Sequence, residues 1–85
     1  MVQKIETLTD LDIKGILKVI GERYWLELPR KVVMADYDPE NAVLLIKFSH
    51  SRIVNGEPTS DGNIILHYGE KDELIAIEIL RLPSV

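Results

Sequence analysis

Three segments of this chain alternate apolar and polar residues with a period of two: Leu44, Ile46 and Phe48; Ile64, Leu66 and Tyr68; Ile75, Ile77 and Ile79. Successive side chains on a strand point to opposite faces, so each segment predicts a strand with one buried face. A sheet built this way exposes a continuous apolar surface unless something covers it. The preceding stretch supplies the cover, because Ile13, Ile16, Leu17, Ile20 and Tyr24 recur at helical spacing while Asp12, Lys14 and Lys18 fall on polar faces. Thr9 with Asp12 reads as a capping box and Leu8 with Ile13 as a hydrophobic staple. Gly21 suits a left-handed C-terminal cap, so the helix is expected over about 10–20.

In the segment RYWLELP, Tyr24, Leu26 and Leu28 alternate with Trp25 and Glu27 before Pro29. That pattern predicts a short strand at about 23–28, at an edge or ended by the proline. Further strands are expected at about 32–37, 43–49, 62–68 and 74–81. Asp38 to Asn41 has the turn chemistry of a hairpin, and Gly69 to Glu73 closes the last one. The connection from Ser49 to Asp61 contains Asn55 and Gly56, a preferred hairpin-turn pair. Pairing about that tip sets Ile46 opposite Ile65 and puts the two apolar faces out of phase. A bulge near Ser49 to Ser51 or Pro58 to Ser60, or a flexible tip, is therefore expected. The fold class is α+β: a single domain over residues 1–85, with an N-terminal amphipathic helix packed on a twisted antiparallel meander sheet of four to five strands.

A chain of 85 residues has room for one modest core, and self-association is a natural way to supplement it. The absence of cysteine excludes disulfides, thiolate catalysis and cysteine zinc sites. No apolar stretch reaches the length of a signal peptide or a membrane span, so no membrane partner is expected and the cytoplasm is the expected location. The net charge of −4 is unevenly spread. Residues 1–35 carry six basic and five acidic groups, a net of +1; residues 36–85 carry four basic and nine acidic, a net of −5. This disfavours binding to a nucleic acid backbone and is compatible with a small basic protein partner, although solubility explains an acidic surface equally well.

Chemistry-bearing constellations are sparse. His50 and His67 are the only histidines; His67 alternates with Leu66 and Tyr68 and should face away from the helix, and His50 sits in the connection from Ser49 to Asp61, so neither is read as a metal ligand. Asp36, Asp38 and Glu40 imitate the start of a calcium loop, but Asn41 stands where glycine belongs and Lys47 where the bidentate glutamate belongs. No nucleophile elbow or phosphate loop is present, and no catalytic residue, cofactor or metal site is assigned. Arg23, Arg30 and Lys31 flank Tyr24 and Trp25, a mixture able to stack on a base. Trp25 has two further readings: an exposed anchor at a protein interface, or a core residue covering the sheet edge. Val43 and Leu45, with Ile65, leave apolar residues on the sheet face opposite the helix. The candidate interface residues are therefore Tyr24, Trp25, Val43 and Leu45. The expected function is a non-enzymatic interaction module that forms a homodimer by pairing edge strands or burying the Trp25 region.

YDPENAVLLIKFS, from Tyr37 to Ser49, resembles the opening Y-D-P-E-x-D-x-L-Y-I-x-L-S of the small prokaryotic domain of unknown function 2283. Asp61 to Tyr68 and Leu74 to Leu80, with its IAIEIL, resemble that family's later segments, and the likeness runs from about Val33 to Leu80. The resemblance implies a twisted antiparallel meander with no assigned activity, catalytic residues or cofactor. Members that neighbour toxin-like genes add an alternative, an antitoxin-like regulator binding a small basic toxin or DNA; a small-molecule binder is a third. The chain departs from the family pattern in having His67 for aspartate, Ala76 for glycine and a helical extension before the domain.

Overall fold

The computed structural model describes residues 12–81: one helix, α1 (Ile13–Tyr24), and five strands, β1 (Met34–Asp38), β2 (Val43–Lys47), β3 (Asn55–Pro58), β4 (Ile64–Tyr68) and β5 (Leu74–Ile79). All neighbouring pairs are antiparallel, in the spatial order β1-β2-β5-β4-β3. The class is α+β as expected, although the order departs from a strict meander.

Asp12 is the N-cap, in a non-helical conformation with Oδ1 accepting the Gly15 amide at 3.0 Å. The helix thus starts three residues later than expected, with Asp12 capping rather than serving as the third residue of a box; Leu8 and Thr9 lie outside the described residues. Its end is also later. Gly21 stays helical, and Trp25 takes the left-handed cap with φ 56° and ψ 44°. Two interactions carry α1 past Gly21: Tyr24 prolongs the apolar stripe begun by Ile20, and the Leu26 amide bonds back to the Gly21 carbonyl at 3.0 Å, a Schellman closure. The strand expected at 23–28 is therefore absent. Leu26, Leu28 and Val32 instead reach the core from an irregular segment.

Register explains the core. Leu44, Ile79 and Ile64 stand in one row across β2, β5 and β4, and Ile46, Ile77 and Leu66 in the next. All six are buried, with Ile20 of α1 fully buried against them. At roughly 1.5–3 kcal/mol per fully buried large side chain, these rows are the main favourable contribution to folding.

The expected pairing of the segments at 43–49 and 62–68 does not occur, because β5 runs between them. β5 has a strand bonded along each of its edges, and its Ile75, Ala76, Ile77 and Ile79 are all buried. No compensating bulge is needed near 49–51 or 58–60, since Ile46 and Leu66 both face Ile77. The irregularity lies instead between β4 and β5, where His67 pairs with Ala76 but Tyr68 with Leu74. Ile75, skipped on that side, accepts the Phe48 amide at 2.8 Å on the other.

Asn55 and Gly56 make no turn; they begin β3, opposite Tyr68 and His67. The chain reverses later, at Thr59 to Asn63. There Asp61 Oδ1 accepts the Thr59 hydroxyl at 2.7 Å and the Asn63 amide at 3.0 Å, and Gly62 supplies φ 73°. The β1–β2 turn falls where expected. Asp38 accepts the Glu40 amide at 3.0 Å, and Ala42 takes a positive φ of 55°.

Candidate interaction surface

The end of α1 carries the most exposed large apolar side chain among the described residues: Trp25 is 94% exposed. Its backbone is left-handed, a conformation that costs an L-residue roughly 1–2 kcal/mol and that glycine adopts freely at this helix position. The core-tryptophan reading is thereby excluded.

The ground beneath it is firmly held. Tyr24 is half-buried against the core, and its hydroxyl donates to Asp61 Oδ2 at 2.6 Å. The helix end is thus tied to the β3–β4 turn. Asp61 is held down to about pKa 2, chiefly by the Tyr24 hydroxyl and then by the Thr59 hydroxyl and Asn63 amide. Tyr24 is raised, first by desolvation and then by the same bond to Asp61. One aromatic residue faces inward and is bonded, and its neighbour projects outward.

An open groove of about 690 Å³ lies between α1 and the returning segment, with Leu17, Gly21 and Glu22 on the helix side and Leu26, Leu28 and Arg30 on the other. Gly21 lets the returning chain approach closely, since a Cβ there would come to 3.1 Å from the Leu26 carbonyl oxygen, a tight contact. Sequence reasoning missed this groove. Lys14, Lys18 and Glu22 at four-residue spacing were its visible half; the other half depends on residues 26–30 turning back as a loop.

Val43 and Leu45 lie elsewhere. They alternate with the buried Leu44 and Ile46 and so belong to the sheet face away from α1. On that face Met34, Lys47, Ala76, His67 and Gly56 form one row, and Asp36, Leu45, Glu78, Ile65 and Pro58 the next. Ala76 is fully buried there, while Val43, Leu45 and Ile65 are half-buried. His67 Nε2 and Glu78 Oε1, on neighbouring strands, are 3.2 Å apart. The four candidate residues thus fall into two patches: Tyr24 and Trp25 at the helix end, Val43 and Leu45 on the far face.

His50 is exposed. Asp38, part of the calcium-loop imitation, is occupied by its own turn, accepting the Asn41 side-chain amide at 2.8 Å. That bond, with the Asn41 and Glu40 amides, lowers its pKa. Among the described residues no three His, Cys, Asp or Glu side chains are grouped to hold a metal ion, and no polar or charged residue is fully buried. No helix among them is long and apolar enough to cross a membrane.

No curated protein and no solved structure gives a significant match to the chain. The model of one family, described as protein of unknown function (DUF2283), matches residues 35–82, which takes in the five-stranded sheet except Met34 and leaves α1 and Trp25 outside the match. The chain therefore belongs to the DUF2283 family.

Proposed function

We propose that this protein is an interaction module that self-associates through Trp25, most simply as a homodimer. The observation that carries this reading is a tryptophan both strained and almost wholly exposed. Neither property stabilises the isolated chain, and a backbone outlier of this kind motivates a functional explanation. Tryptophan is among the residues most enriched at binding hot spots. The sheet edges support the same choice. Pro58 on β3 cannot donate to an added strand, and β1 presents Asp36 and Asp38, which two paired copies would bring near one another. Edge pairing is thus opposed, and the helix end remains.

Native mass spectrometry of the wild type and Trp25→Ala tests the reading. The expected result is a wild-type dimer and a monomeric variant; a variant that keeps the wild-type mass would refute it.

The net charge of −5 over residues 36–85 favours a second reading, the capture of a small basic protein by the sheet, as an antitoxin-like regulator would do. Isolation of the protein from its own cells in a stoichiometric complex with a basic chain would put that reading first. The cysteine-free composition suits a reducing cytoplasm.

A further inference from the structure

We propose that the groove beside α1 is the receptor for Trp25 of a second copy, so that two chains exchange tryptophans about a two-fold axis. This rests on the self-association reading and adds to it the receiving site and the register.

Placement is the first argument. Leu26, which lines the groove, directly follows Trp25, and Glu22, which also lines it, lies three residues before. Projecting ring and receiving groove therefore both belong to the C-terminal end of α1. When a knob and its hole are neighbours, a single two-fold rotation seats both knobs at once, and the assembly closes as a dimer without leaving a free groove to propagate.

Chemistry is the second. Half-buried Leu17, Leu26 and Leu28 make the lining apolar, and among its exposed charged side chains Lys14, Lys18 and Arg30 outnumber Glu22. Indole is the best aromatic partner for a cation and carries an apolar body, so this lining suits it on both counts. An indole buries up to about 250 Å², and two exchanged rings form the centre of a contact that the flanking helix surfaces extend toward the roughly 800 Å² per partner of a stable interface.

Charge order is the third. Lys14, Lys18 and Glu22 succeed one another at four-residue spacing along one flank of α1, positive toward its start and negative toward its end. Such a stripe repels a parallel copy and complements an antiparallel one. With the axis passing between Lys18 and Glu22, each Lys18 meets the partner's Glu22, and each Trp25 is carried toward the Lys14 end of the opposite groove.

The test is a charge-reversal exchange followed by sedimentation velocity. Lys18→Glu and Glu22→Lys are each expected to weaken the homodimer by about tenfold or more, since each places like charges in contact. An equimolar mixture of the two variants is expected to form a heterodimer of near wild-type affinity, because the reversed charges then oppose their complements between chains. Mixing leaves interactions within each chain unchanged, so recovery cannot come from repaired helices. If Trp25→Ala abolishes the dimer but the mixture shows no recovery, the groove and register proposed here are wrong while self-association through Trp25 stands. A wild type that stays monomeric at every concentration, or a dimer indifferent to Trp25→Ala, overturns both.

Discussion

Replacing Trp25 by glycine is expected to stabilise the isolated chain. At φ 56° and ψ 44° an L-residue carries a cost of roughly 1–2 kcal/mol that glycine lacks. Against this gain stands the greater backbone freedom of glycine in the unfolded chain, worth about 0.5–1 kcal/mol. The side chain is 94% exposed, so its loss sacrifices almost no burial. The balance is a gain of about 0.5–1 kcal/mol, which for a domain of this size raises Tm by about 2–8 °C. The assay is thermal unfolding by far-ultraviolet circular dichroism at concentrations too low for association, beside Trp25→Ala. Alanine keeps the left-handed strain and should leave Tm nearly unchanged. A monomeric Trp25→Gly variant that melts below the wild type would refute the reasoning, because it would show that the indole stabilises its own chain. At concentrations where the wild type is dimeric the order should reverse, since glycine forfeits the stabilisation that mass action confers on the assembly.

Two further outcomes follow from the tie at the helix end and from the core. The folded pKa of Asp61, about 2, lies below its ordinary 3.8, so its contribution to stability is present above pH about 4 and is lost as the pH falls through its folded value; Tyr24→Phe should move the Asp61 carboxyl titration, followed by NMR, back toward 3.8, and an unmoved titration would show that the Tyr24 hydroxyl is not its main cause. Ile77 lies between Ile46 and Leu66 with no exposed surface, so Ile77→Ala should cost about 2–5 kcal/mol in urea unfolding, whereas a loss below 1 kcal/mol would contradict the central position of β5.

The strands of the core were legible because alternation is a local signal. Leu44 and Ile46, or Ile64 and Leu66, announce a half-buried strand whatever their neighbours. Neighbour relations are not local. The central place of β5 depends on a strand pairing with each of its edges, and Ala76, buried on the face away from α1, is too small to stand out in a hydropathy pattern. β3 was hidden because NGEP has the composition of a turn; it is a strand only because the open edge of β4 lies within its reach. Gly21 looked like a cap because its fitness for one is intrinsic, whereas the capping of Trp25 is imposed by the Tyr24 to Asp61 tie and the Leu26 bond to Gly21. Trp25 was therefore visible as a candidate by residue type alone, and its near-complete exposure required the helix to run one turn further than its glycine suggests.

Trp25 is the only tryptophan in the chain, so its fluorescence reports the proposed interface without a label. Acrylamide quenching measured from dilute to concentrated protein tests the central claim most directly. The expected result is free quenching at high dilution that gives way to protection and a shift to shorter emission wavelength as concentration rises. Quenching that remains equally free at every concentration, or protection already complete at the lowest, would contradict an anchor that is exposed in one copy and buried by a second.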